Sequence, residues 1–255
     1  MELFFRDFGG RGRPLVILHG LFGSSNNWQR VARGLKRHAR VLALDLRNHG
    51  RSPHAPSHTL HDMVQDLEEW LQDAGLEDPI LLGHSMGGLA AMAFAVTRPS
   101  AVHGLVVVDV APRAYTHDRS REFEVFKTDV SGYESREELD RALEPRIPEP
   151  DVRQFLLMNA ERTDSGYRWR INVPALVRSE FLTELPAFGG TFRGPALFVA
   201  GGASSYVRAE DHDLIRGRFP AARIETIPEA GHWLHHTAES AFVALVRDFL
   251  RREAS

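Results

Sequence analysis

The chain has 255 residues, 31 Lys+Arg against 34 Asp+Glu, a net charge of −3 and no block of like charge, which excludes the electrostatic footprint of a nucleic-acid or anionic-membrane binder. It contains no cysteine, which excludes a disulfide scaffold, a thiolate nucleophile and a Cys-ligated metal. The length suits one α/β domain with a single insertion. Glu2, Arg6 and Asp7 interrupt any secretory apolar segment and no run is long enough to span a bilayer, so a cytoplasmic protein is expected.

In chain order, short apolar runs alternate with longer amphipathic ones, the pattern of strands and helices around a parallel sheet. The runs at 14–20 (PLVILHG), 40–46 (RVLALDL), 79–85 (PILLGHS), 104–110 (GLVVVDV) and 195–202 (PALFVAGG) are continuous and rich in branched residues, as strands covered on both faces should be. A weaker sixth lies at 222–227. Helical spacing of Leu60, Met63, Val64, Leu67, Leu71 and Ala74 predicts a helix N-capped by Thr59, with Asp62 three residues on. A stripe through Phe242, Leu245, Val246, Phe249 and Leu250 predicts the final helix. Between Ala111 and Gly194 the alternation stops. Charged helical segments at 119–130, 135–144 and 151–163, separated by Pro145, Pro148 and Pro150, read as a helical insertion, and GYRWRINVP at 166–174 reads as a hairpin or an extended arm.

Within this frame Gly83-His84-Ser85-Met86-Gly87 stands at a strand-to-helix junction, the context in which G-x-S-x-G positions a nucleophilic serine. Such a serine needs a base, and His232, after the last strand, is the candidate. His235 and His236 are expected to begin the last helical region or lie at the surface. His54, His58 and His61 sit in or beside a Pro-rich loop without acidic or Cys partners at regular spacing, so no metal site is inferred. For the acid, the usual position past the next-to-last strand holds Ser204, with Ser205 beside it, and Glu210 and Asp211 fall on the following helix. Asp109 ends the neighbouring strand and is costly to bury unpaired; it is the candidate acid, against a structural cap at the insertion hinge. The backbone N–H groups of Leu21, after His19-Gly20, and of Met86 are the candidate oxyanion donors, with His19 holding the loop.

From LHGLFGSSNNW, LDLRNHGRSPH, LLGHSMGG, VVDVAPRAY, WRINVP, GGASSYV and AGHWLHH, the chain resembles the α/β-hydrolase superfamily end to end, and within it small bacterial esterases of the YbfF type. The resemblance implies a mostly parallel, doubly wound sheet, with 1–110 and 191–255 as core and 111–190 as an inserted α-helical cap. It implies Ser85, His232 and Asp109 as triad, no cofactor and no metal. Arg119 and Ser204 are expected to contribute to the substrate pocket, with Arg119 as a clamp for an anionic substrate or a solvated helix arginine. Phe22, Trp28 and Trp233 line the pocket or belong to the core. Only ELFF is available for the usual leading hairpin, so one strand is expected to be missing. The expected activity is hydrolysis of small or medium acyl esters. Acyl-CoA thioester hydrolysis, carbon–carbon cleavage, cofactor-free peroxidation and a non-catalytic receptor are the rivals on the same fold.

Overall fold

A computed structural model describes residues 1–115, 120–179 and 189–253. Its strands are β1 (Phe5–Asp7), β2 (Pro14–Leu18), β3 (Arg40–Leu44), β4 (Ile80–His84), β5 (Gly104–Val108), β6 (Ala160–Thr163), β7 (Gly166–Trp169), β8 (Ala196–Gly201) and β9 (Ala222–Ile227). Seven of them form one sheet in the order β1-β3-β2-β4-β5-β8-β9, parallel except for β1, which runs antiparallel to β3. Among the described residues β1 is the one strand that precedes β2.

The helices are α1 (Gln29–Leu35), α2 (Leu60–Asp73), α3 (Met86–Thr97), α4 (Ser120–Phe126), α5 (Arg136–Leu143), α6 (Pro150–Leu157), α7 (Val173–Val177), α8 (Asp211–Arg218), α9 (Leu234–Thr237) and α10 (Glu239–Arg252). Period-two alternation divides the sheet between two cores. Val16, Leu18, Leu81, Leu105 and Val107 pack with α2, α3 and α8, whereas Leu15, Ile17, Leu82, Val106 and Val108 pack with α1, α9 and α10. Apolar side chains on both faces explain why these strands read as unbroken hydrophobic runs. Helix α2 starts where the sequence places it: Thr59 Oγ1 accepts from Asp62 N–H, and the Asp62 carboxylate accepts from Thr59 N–H.

Between β5 and β8 the described residues hold α4 to α7 and a two-stranded hairpin, β6 with β7. The hairpin resolves the alternative left open for 166–174, and it corrects the helical reading of 151–163. Helix α6 ends at Leu157, and Ala160–Thr163 pairs with Gly166–Trp169 in a register that helical periodicity does not report. This segment has its own apolar cluster, built on Val125, Leu139, Leu143, Leu156 and Leu157, and Phe22 enters it from the core.

One buried ion pair anchors the loop after β3. Arg47 meets Asp66 of α2 through Nε to Oδ2 at 2.5 Å and Nη2 to Oδ1 at 2.8 Å, with Asp62 at 3.1 Å. Arg47→Met leaves the Asp66 carboxylate buried without its fork and is expected to destabilise the fold by about 3–5 kcal/mol in urea unfolding. Adding Asp66→Leu is expected to recover most of that loss; additive losses would show that the pair is not what matters.

Candidate active site

The carboxyl ends of β4, β5 and β8 lie side by side, so the residues that follow them are brought together by topology. Ser85 follows β4 with φ 50° and ψ −116°, and it is directly succeeded by α3. A non-glycine residue held there stores roughly 1–3 kcal/mol of strain, which the surroundings must over-determine. They do so by close packing. A Cβ on Gly83 would stand 2.2 Å from Gly87 O, and one on Gly87 2.3 Å from Leu18 O, so strand, turn and helix meet only because both residues are glycine. Ser85 N–H donates to Val108 O at 3.0 Å, fixing the turn to β5.

Asp109 follows β5, also in the left-handed region with φ 49°, and its side chain is fully enclosed. Its Oδ1 accepts from Gly201 N–H at 2.9 Å, and its Oδ2 accepts from both Ser204 Oγ–H and, at 2.8 Å, His232 Nδ1–H. Burial pushes the Asp109 carboxyl up to about 6, against the Gly201 and Ser204 hydrogen bonds that pull it down. Ser204 thus stands on the carboxylate and not among the side chains lining the pocket around Ser85, because the loop after β8 turns its hydroxyl toward β5.

Contacts on both the ring and the backbone hold His232 itself. Its Nδ1 is on Asp109, its ring stacks on Tyr206 at 3.7 Å between centroids and 14° between planes, and its carbonyl accepts from His84 Nε2–H at 2.9 Å. With Nδ1–H on the carboxylate, Nε2 is left as the basic nitrogen. Among the described residues no hydrogen bond joins Ser85 Oγ to His232; the two side chains face the same pocket.

That pocket is walled by Leu21, Phe22, Val152, Phe155, Leu156 and Trp233, and Glu122 of α4 contributes an acidic side chain. Trp28 is not in it: buried in the core, it stacks on His235 at 4.5 Å. His235 is accordingly buried in α9 and not at the surface, and burial holds its imidazole well below the usual histidine value, whereas His236 is exposed. His58 is buried with Nε2 3.3 Å from Met86 Sδ, while His54 and His61 are exposed, so the three histidines do not converge. Arg119 lies outside the described residues.

The Gly20–Gly23 turn runs against Ser85. A Cβ on Gly20 would stand 3.3 Å from Ser85 Cβ, which puts the next residue, Leu21, beside the serine. His19 is buried and neutral: its Nε2 accepts from Leu46 N–H at 3.0 Å, so Nδ1–H donates to Gly20 O at 2.8 Å. Gly23 N–H donates to the same oxygen at 2.9 Å. Since a trans peptide sets N–H opposite C=O, this turns the Leu21 N–H away from that anchor. Met86 N–H opens α3, where first-turn amides have no helical partner. Sequence reasoning did not single out His84, Tyr206, His49 or Asn159 as site residues. His84 lies inside the serine motif and was legible; the others contact the site across long stretches of chain.

The sequence signature of the alpha/beta hydrolase fold family matches residues 13–239. The chain is 37% identical over 264 residues to the sn-1-specific diacylglycerol lipase ABHD11 of Danio rerio, covering 98% of this chain and 83% of that one. It is 34% identical over 246 residues to esterase YbfF of Escherichia coli (strain K12), covering 93% and 92%. Among solved structures it resembles a marine microorganism esterase at 38% identity and a TM-score of 0.90, covering 97% and 99%. The chain therefore belongs to the α/β-hydrolase family. Within it, this is an enzyme close to the YbfF-type esterases.

Ser204→Ala removes one charge-assisted donor from Asp109, which makes the carboxylate more basic and, through it, the imidazole. The acid limb of kcat/KM for ester hydrolysis is expected to move up by about one pH unit, the equivalent of one such bond. An unshifted limb would remove Ser204 from the electrostatics of the site.

Proposed function

We propose that the protein is a carboxylic ester hydrolase for small or medium acyl chains, working through a Ser85–His232–Asp109 triad and an acyl-enzyme. The observation that carries this is the 2.8 Å His232 Nδ1–Asp109 Oδ2 hydrogen bond beside a serine in a strained elbow. Ser85 Oγ attacks the acyl carbon while His232 Nε2 takes its proton; the same proton is then delivered to the leaving alkoxide. Asp109 keeps the proton on Nδ1 and stabilises the imidazolium. The N–H groups of Leu21 and Met86 receive the oxyanion, in a turn and at a helix start aligned before substrate arrives. Water activated by His232 then attacks the acyl-enzyme and releases the acid. Residues 111–190 act as a cap, and the apolar side chains of Phe22, Val152, Phe155, Leu156 and Trp233 take the acyl chain. No step calls on a cofactor.

Ser85→Ala is expected to abolish turnover of a short p-nitrophenyl ester while leaving thermal unfolding nearly unchanged; retained turnover would discard the serine. Asp109→Asn is expected to lower kcat by about 10³–10⁴-fold. A change of only a few-fold would assign the imidazole to another acid. Matched oxoesters and CoA thioesters of one acyl chain separate the two ester classes, with the larger kcat/KM expected for the oxoester.

A further inference from the structure

The cap reaches the oxyanion turn through one buried polar side chain. Asn159 lies in the turn between α6 and β6, only 4% exposed, and its Nδ2 donates to Phe22 O at 2.8 Å and to Leu156 O at 3.2 Å. Phe22 O and Gly23 N–H belong to the same peptide. That N–H donates to Gly20 O, and Gly20 O and Leu21 N–H belong to the next peptide in the relay. We propose that Asn159 is a positioning residue for the oxyanion hole, heading a chain of two hydrogen-bonded peptides that ends on the Leu21 N–H. The inference rests on the ester-hydrolase reading above and assigns that reading a residue contributed by the cap.

Geometrically, Phe22 has φ 64° at the third position of a four-residue turn, where glycine is the usual occupant, so the turn needs outside restraint. It has restraint on each peptide. His19 and Gly23 hold Gly20 O, His49 Nε2 accepts from Phe22 N–H at 3.3 Å, and Asn159 holds Phe22 O. His49 donates its Nδ1–H to Arg47 O at 2.9 Å, which leaves Nε2 free to accept. The Phe22 ring is gripped by the same cap, 5.1 Å from Phe123 and 5.2 Å from Phe126 of α4. Electronically, each bond in such a series polarises the next amide, so a donor on Phe22 O strengthens Gly23 N–H toward Gly20 O, and that in turn strengthens Leu21 N–H toward an oxyanion. Asn159 therefore adds to transition-state stabilisation without touching substrate, and the oxyanion hole is fully formed only with the cap in place.

The test compares Asn159→Ala, Asn159→Leu, which fills the volume without a donor, and Asn159→Gln, which restores an amide. Kinetics use a short p-nitrophenyl ester. Binding uses an acyl trifluoromethyl ketone, whose adduct carries an oxyanion, beside the corresponding alkyl ether, which has no carbonyl. Losing the whole of one oxyanion donor costs about 10²–10³-fold, so weakening one is expected to lower kcat by about 10-fold with KM little changed. The ketone should weaken by the same factor and the ether not at all, with Asn159→Gln recovering part of the loss. Unchanged kcat in the folded Ala or Leu variant, or equal weakening of ketone and ether, would overturn the proposal. Labelling of wild-type Ser85 by a fluorophosphonate distinguishes the failures. A labelled wild type with wild-type-like variants rejects Asn159 alone, and an unreactive wild type rejects the esterase reading with it.

Discussion

One buried carboxylate organises this site. Asp109 is sealed from water at the end of β5, and a charge so placed is tolerable only if its oxygens are occupied by donors. Three elements supply them: the end of β8 through Gly201, the loop beyond it through Ser204, and the β9–α9 loop through His232. Each donor also fixes the segment that bears it. The requirement to satisfy Asp109 thereby sets where the histidine loop sits and which imidazole nitrogen is protonated. Burial lifts the carboxyl to about 6 even with the donors from β8 and its loop pulling it down, so those donors favour the ionised form against desolvation.

Around this centre, buried histidines act as fixed, neutral hydrogen-bonding parts. His19 accepts with Nε2 and donates with Nδ1; His49 does the same between Phe22 N–H and Arg47 O. Desolvation by burial keeps both neutral, and the mutual repulsion of their positive forms lowers His49 further. Both rings position the turn that presents Leu21. His84 performs the corresponding task on the other side, tying the His232 carbonyl to the serine elbow. His19, His49 and His84 are accordingly hydrogen-bonding supports around the pair His232–Asp109.

Much of the fold was legible because its signals are local. Strands covered on both faces read as apolar runs, α2 carries its own cap in Thr59 and Asp62, and the elbow needs glycine at 83 for a contact with Gly87 four residues on. Asp109 was legible from the cost of burying it. The unread parts are those decided by distant chain. Asn159 meets Phe22 across 137 residues, and nothing in "LLMNAERT" marks it apart from the helix it follows. Strand β6 was taken for helix because its pairing with β7, not its own pattern, makes it a strand. Ser204 was seen as an empty acid position, and its hydrogen bond to the acid on the neighbouring strand depends on the sheet order.

The site depends on Asp109 orienting His232 through the Nδ1–Oδ2 hydrogen bond. That dependence is tested most directly by proton NMR of the imidazole, with selective nitrogen labelling to assign the His232 Nδ1–H. A resonance well downfield of the amide region, protected from solvent exchange, is expected in the wild type, with its loss or a large upfield shift in Asp109→Asn. The same resonance persisting unchanged in folded Asp109→Asn would show that another group orients His232.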